Sequence, residues 1–82
     1  MHYSYKTNGT CSSKIDFDIE DGKLHNIVFT NGCNGNLQAI GSLLEGADAE
    51  FAIERLNGIN CGFKSTSCGD QLAQAIKKAI AE

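Results

Sequence analysis

The sequence predicts an α+β fold: a three-stranded antiparallel sheet followed by three helices packed on one of its faces. Short strand-like runs fill the chain up to residue 30, with apolar and polar residues alternating through Lys14 to Glu20, and apolar residues then recur at three- and four-residue spacing from Leu37 onward. An Asp21-Gly22 pair, the strongest short hairpin signal, separates the second of these runs from the third. The chain has 82 residues. A chain of that size buries only about 60 to 65% of its unfolded surface, which makes one domain over residues 1–82 with one modest core. The helices must therefore share the single apolar face of the sheet.

The elements follow in order. His2 to Thr7 reads as a first short strand and Asn8 to Ser13 as a turn. In Lys14 to Glu20 the apolar Ile15, Phe17 and Ile19 alternate with Asp16, Asp18 and Glu20, a half-buried strand with one wet face. Asp21 and Gly22 suit a type I′ turn, whose two central positions both need positive φ, and Lys23 to Thr30 returns as the third strand. After "NGCNGN" (Asn31 to Asn36) the period changes, with Leu37, Ile40, Gly41 and Leu44 on one helical stripe. "EGAD" (Glu45 to Asp48) ends that helix. Ala49, Ala52, Ile53 and Leu56 form a second, stopped by Asn57 and Gly58, and Leu72, Ala75, Ile76, Ala79 and Ile80 form a third. No internal repeat is visible.

Composition narrows the function classes. The chain is 41% hydrophobic and 21% charged, with nine Gly and no Pro, which is globular rather than disordered. A formal net charge of -3 with seven scattered Lys and Arg offers no basic stripe, so neither nucleic acid nor an anionic membrane is expected as partner. "MHYSYKTNGT" has no basic n-region and no apolar h-region, and no apolar run approaches membrane-spanning length. A cytoplasmic location is the expectation. There, four cysteines are better suited to metal binding, redox work or burial than to structural disulfides.

Chain direction gathers those cysteines. If the first strand runs up, the turn holding Cys11 lies at the top, the hairpin at Asp21 and Gly22 at the bottom, and the third strand climbs to Cys33. The first helix descends to the Glu45 to Asp48 link, the second climbs to Gly58 and leaves Cys61 at the top, and the third starts at Cys68 and descends. With short connections, Cys11, Cys33, Cys61 and Cys68 share one rim. Cys33 and Cys68 also stand at expected helix starts, where unpaired N–H groups and the macrodipole stabilise a thiolate and make it a better ligand and nucleophile. Ser67 and Asp70 form a Ser-x-x-Asp capping box that fixes the last helix start and aims Cys68 outward. Gly32, Gly35 and Gly62 permit close backbone approach beside the cysteines, with Asn34 between the first two. Against this, a free cysteine is commonly a small buried hydrophobe, and there is no C-x-x-C pair.

"TSCGD" (Thr66 to Asp70), with "GCNGN" (Gly32 to Asn36) and "LNGINCG" (Leu56 to Gly62), resembles the small stand-alone TSCPD-domain family over essentially the whole chain. The resemblance implies kinship with domains at the C-terminus of adenosylcobalamin-dependent ribonucleotide reductases. Gly69 stands where the family's name has proline, which loosens the start of the last helix. The element order is also similar to that of NifU or IscU-type iron–sulfur scaffolds, with Cys11, Cys33 and Cys68 where that scaffold has its cluster cysteines. Ser12 and Ser13 replace its aspartate, and Ser67 replaces its histidine. That Cys61 supplies a missing ligand is read from the topology, not from the family.

Other features read as structural. Asp16, Asp18, Glu20 and Asp21 read as the solvated side of the sheet. His25 falls on the Ile27 and Phe29 face or its edge and reads as packed, Lys77 and Lys78 complement a helix C-terminus, and Lys64 is a candidate to lower a thiol pKa or hold an anion. No phosphate loop, Ser/His/Asp set or paired-carboxylate site is legible, so an autonomous enzyme is not expected. Three readings remain open. The first is a binding module holding zinc or an iron–sulfur cluster for a larger redox enzyme or a ribonucleotide reductase. The second is a dithiol relay supplying such a reductase, and the third a structural subunit with buried cysteines.

Overall fold

The computed structural model describes residues 1–7, 12–32, 34–59 and 66–81. Its elements are β1 (His2–Lys6), β2 (Lys14–Glu20), β3 (Lys23–Thr30), α1 (Asn34–Leu44), α2 (Ala49–Leu56) and α3 (Cys68–Ala81). The strands form one antiparallel sheet in the order β1-β2-β3, with His2 opposite Asp18 and Lys14 opposite Thr30. This is the predicted meander and helix order.

The hairpin has the expected geometry, since Asp21 and Gly22 both hold positive φ, 53° and 77°. The α1–α2 link docks beside it. Leu24 N–H donates to Ala47 O at 2.8 Å, Gly46 N–H to Leu24 O at 2.7 Å and Ala49 N–H to Gly22 O at 2.8 Å. Asp48 makes an isolated antiparallel bridge to Lys23, whose Nζ lies 3.0 Å from its carboxylate. The link thereby occupies backbone groups that the outer edge of β3 would otherwise leave bare. Hairpin and link share one end of the domain, as the trace of chain direction requires.

A bulge in β3 decides which side chains enter the core. Asp16 pairs with Val28 but Asp18 pairs with His25, so β3 spends one extra residue between them. That residue is Asn26, at φ 55°. Its side-chain amide donates to Asp18 at 2.9 Å and its backbone N–H donates to the Glu45 carboxylate at 2.9 Å. Without the extra residue, Leu24 would share a face with Val28. With it, Leu24 faces inward together with Ile27 and Phe29, while Val28 is exposed. His25 is thereby displaced from the Ile27 and Phe29 face expected from strict alternation. It is half-exposed and pairs through Nδ1 with Glu45 at 2.6 Å rather than packing in the core.

The core lies between the sheet and the helices. Ile15, Phe17 and Leu24 pack with Leu44, Ala49, Ala52, Leu72, Ala75, Ile76 and Ala79, and Tyr3 stacks on Phe17 with ring centroids 5.6 Å apart. Most predicted stripe positions are buried or half-buried, but Ile80 is 49% exposed while its neighbour Ala79 belongs to the core. Helix α1 crosses β3 where Gly41 sits, and a Cβ there would stand 3.0 Å from Ile27 O. No helix among the described residues is long and apolar enough to cross a membrane.

The bulge makes a direct prediction. Asn26→Ala places an ordinary Cβ in the left-handed region and loses the bond to Asp18, costing about 1 to 2 kcal/mol. Asn26→Gly relieves the backbone and costs less. Urea unfolding of both variants measures the difference, and equal losses would show that the backbone conformation is not what matters.

Candidate functional site at the start of the last helix

Helix α3 opens on Cys68, and Ser67 caps it. Asp70 N–H donates to Ser67 Oγ at 3.1 Å, and Gln71 N–H makes the first helical bond to Ser67 O at 2.8 Å. The capping serine is as expected, but the carboxylate does not return to the serine as a closed box would require. Instead Asp70 accepts from Gly58 N–H at 2.7 Å, beyond the end of α2, and from the Thr66 hydroxyl. Ser67 Oγ donates its own proton to Ile59 O at 2.6 Å. Residues 58–59 and 66–67 are therefore pinned together.

The cluster extends along one side of α3. Gln71 Nε2 donates to Thr66 Oγ1 at 3.0 Å, Gln74 Nε2 to Asn57 Oδ1 at 3.1 Å, and Lys77 Nζ to the same oxygen at 2.7 Å. Lys77 thus ties α3 to the end of α2, beyond the dipole role expected for it. Thr66, Ser67, Asp70 and Gln71 are all buried. Among the described residues, no buried side-chain nitrogen or oxygen lacks a partner. The Thr66 hydroxyl, then the Gly58 N–H, hold the Asp70 carboxyl below the usual carboxylate range, against the opposing effect of burial. Gly69 lies in the first turn against α2, where a Cβ would meet Leu56 Cδ2 at 3.4 Å.

Cys68 is half-buried, and its Sγ lies 3.1 Å from Ser12 Oγ, across 56 positions of sequence. Ser12 is itself only 2% exposed. Its position is set from both sides: the Thr7 hydroxyl donates to Ser12 O, and Ser13 N–H donates to Thr30 O at 2.8 Å. Asn31 Nδ2 donates to Ser13 Oγ at 3.0 Å. The segment before β2, the end of β3 and the start of α3 therefore meet at the end of the domain opposite the hairpin.

Of the predicted site residues, Cys68, Ser67 and Asp70 stand together. Cys11, Cys33, Cys61 and Lys64, with Gly62, lie outside the described residues. Gly32 holds φ 95°, and a groove of about 480 Å³ along Ile27, Phe29 and Leu37 runs up to it. Asn34 is the first residue of α1. Gly35 makes no close approach among the described residues, where nothing lies within 4 Å of a Cβ built there. Among the described residues no three His, Cys, Asp or Glu side chains are grouped to hold a metal ion.

Sequence reasoning gave Thr66, Gln71, Gly58 and Ser12 no part in the site, reading Gly58 only as a helix stop and Ser12 only as a departure from the scaffold's aspartate. Thr66 was legible as a second hydroxyl beside the cap. The pairings with Gly58 and Ser12 carry no local signal, because both join distant segments. On the open face of the sheet, Asp16 and Asp18 of the acidic row are half-buried and paired, while Glu20 and Asp21 are exposed: His2 Nδ1 meets Asp18 at 2.7 Å, Ser4 donates to Asp16, and Lys14 lies 3.6 Å from Asp16. The bond to Asp18 raises the His2 pKa.

Two substitutions separate the parts of this cluster. Asp70→Asn keeps the shape but weakens the acceptor for Gly58 and Thr66, and costs about 1 to 3 kcal/mol near neutral pH. Because the folded pKa is depressed, the carboxylate's contribution is complete above the unfolded value of about 3.9 and is lost as pH falls through the lower folded value. The stability gap between wild type and Asp70→Asn therefore closes below about pH 4, which thermal melts across pH 2 to 7 would follow. Gly69→Ala fits the available space and gains helix propensity, raising stability by about 0.5 kcal/mol; a lower melting temperature would mean that Leu56 cannot give way.

Comparison with known proteins gives one positive result. The family model described as "TSCPD domain" matches residues 2–80. No curated protein and no solved structure matches. The match spans the sheet, all three helices and the Thr66–Asp70 cluster, and the chain belongs to the TSCPD-domain family.

Proposed function

We propose that this domain is a cytoplasmic binding module whose four cysteines, Cys11, Cys33, Cys61 and Cys68, form one rim that holds zinc or an iron–sulfur centre. In this reading it serves a larger redox enzyme or a ribonucleotide reductase. The observation that carries it is the 3.1 Å contact between Ser12 and Cys68. It brings the chain neighbour of Cys11 to the cysteine at the start of α3. Asn31, two residues before Cys33, is bonded to Ser13, and Ile59, two residues before Cys61, is bonded to Ser67. Each cysteine thus has a near neighbour in sequence at the same end of the domain. An all-thiolate donor set suits both zinc and iron–sulfur chemistry, at about 2.3 Å from each sulfur for zinc. The resemblance of the sequence's element order to IscU-type scaffolds is what favours the iron–sulfur alternative in this reading. Gly32, Asn34, Gly35 and Lys64 flank the ligands in this reading, while Ser67 and Asp70 hold the last of them in place.

The half-exposed position of Cys68 also supports a second reading, a dithiol relay that hands reducing equivalents to a reductase. Elemental analysis and a visible spectrum of protein purified without oxygen distinguish the two. The binding reading expects about one metal centre per chain, with retention falling at least tenfold in Cys68→Ser and Cys33→Ser while both remain folded. A metal-free protein whose thiols cycle between dithiol and disulfide supports the relay. Metal-free protein with inert thiols overturns both and leaves a structural subunit.

A further inference from the structure

We propose that Asn31 is a site of spontaneous covalent modification: it closes a succinimide ring with Gly32, sheds its side-chain amide as ammonia, and becomes aspartate or isoaspartate two residues ahead of Cys33. The same dipeptide at Asn57-Gly58 is held back from this reaction by the clasp around Asp70. Neither statement depends on whether the cysteines hold a metal.

The reaction needs only water besides the chain itself. The Gly32 nitrogen attacks Cγ of Asn31, the Cγ–Nδ2 bond breaks, and the proton given up by that nitrogen leaves with the amide group as ammonia. Water then opens the ring. Attack at Cγ gives aspartate; attack at the main-chain carbonyl gives isoaspartate, whose backbone runs through Cβ and Cγ. No atom is oxidised or reduced. A glycine after the asparagine favours ring closure, because it has no side chain to shield the nitrogen or restrict its rotation. The dipeptide occurs at Asn8-Gly9, outside the described residues, and at Asn31-Gly32, Asn34-Gly35 and Asn57-Gly58.

Exposure does not separate the first of these pairs from the last, since Asn31, Gly32, Asn57 and Gly58 are all exposed. Hydrogen bonding does. Asn31 and Gly32 lie between β3 and α1 with φ 64° and 95°, and both line the open groove of about 480 Å³. Among the described residues no acceptor takes the Gly32 N–H, and the Asn31 side chain is held through Nδ2, the atom that departs, at 3.0 Å from Ser13 Oγ. At the other pair the attacking nitrogen is committed, because Gly58 N–H donates to the Asp70 carboxylate at 2.7 Å. The Asn57 side-chain carbonyl accepts from Gln74 Nε2 at 3.1 Å and from Lys77 Nζ at 2.7 Å, with the main chain extended at ψ 126°. Nitrogen and Cγ meet there only after bonds to α3 have opened, a local unfolding that the Asn31 turn does not require. Asn34 and Gly35 belong to the first turn of α1, where the helix fixes the main chain.

Conversion at Asn31 has a structural consequence. The new carboxylate has no proton to give Ser13, so a tie between the end of β3 and the segment before β2 is lost, and isoaspartate also lengthens the backbone just ahead of Cys33. Asn57, which joins the end of α2 to α3, is spared.

The test incubates the full-length protein at neutral pH, folded and in guanidinium chloride, and follows the exchange of amide for acid by fragmentation mass spectrometry. Asn31 and Asn34 fall in the tryptic fragment of residues 24–55, where fragment ions tell them apart, and Asn57 falls in that of residues 56–64. In the folded chain Asn31 should convert at least about tenfold faster than Asn57, because hydrogen bonds, one of them to a carboxylate, must open at the second site. In denaturant the two rates should draw level. Asp70→Ala removes the acceptor of the Gly58 N–H and should raise the Asn57 rate about threefold or more while leaving that of Asn31 unchanged. If Asp70→Ala does not fold, Asp70→Asn, a weaker acceptor, should move the Asn57 rate in the same direction by less. Four results overturn the proposal: Asn31 intact in the folded chain while it converts in denaturant, folded Asn57 or Asn34 converting as fast as Asn31, an Asn31 to Asn57 ratio that persists in denaturant, or a folded Asp70 variant in which Asn57 is no faster than in wild type.

Discussion

The buried carboxylate of Asp70 is the constraint around which this domain's upper end is organised. A carboxylate removed from water is costly unless it is hydrogen-bonded. Here no cation approaches it within bonding distance among the described residues; the Gly58 N–H and the Thr66 hydroxyl serve instead. One of these donors lies just past α2 and the other just before α3. A single side chain thus joins the exit of one helix to the entry of the next. The capping serine repeats the connection by bonding to Ile59. The direction of α3, and so the place of Cys68, follows from that pair of clasps.

The two ends of the domain are built from different chemistry. At the hairpin end the backbone does the work, with residues 46–49 pairing onto the outer edge of β3 near Gly22 and Leu24. Such pairing fixes geometry without placing reactive groups. At the opposite end short hydroxyl side chains make the connections: Thr7, Ser12, Ser13, Thr66 and Ser67. Hydroxyls both donate and accept, so in a crowded space they can serve backbone carbonyls, amide donors and the Asp70 carboxylate while leaving a sulfur half-exposed among them. The family-naming stretch Thr66 to Asp70 accordingly divides its roles. Thr66, Ser67 and Asp70 hold the helix start, Gly69 lets it lie close to Leu56, and Cys68 is the member that meets Ser12, ahead of β2.

Helix α1 depends on a separate device. The extra residue at Asn26 brings Leu24 and the Ile27, Phe29 pair to the same side of the sheet. Only then does β3 offer α1 a continuous apolar surface, which Gly41 approaches at the level of Ile27. Glu45, at the end of α1, closes the arrangement by accepting from the Asn26 N–H and pairing with His25.

Much of this was written locally in the sequence. The alternation of Ile15, Phe17 and Ile19, the turn at Asp21 and Gly22, the helical spacing of Leu72, Ala75, Ile76 and Ala79, and the cap at Ser67 each depend on neighbours within about four residues, where periodicity and turn chemistry act. Chain direction then determined which segments share an end of the domain, because short connections leave little freedom. Tertiary structure decided the rest. Asn26 carries no strand-breaking signature strong enough to mark a bulge; its positive φ is sustained by Asp18 on one side and Glu45 on the other, so the face of His25 was settled only by packing. The Asp70 carboxylate was legible as a cap but not as a clasp, since its partner Gly58 lies twelve positions away beyond another helix. The same holds for Ser12 and Cys68, 56 positions apart: periodicity reports which face a residue occupies, whereas a hydrogen bond between distant segments exists only once the core has set where each segment lies.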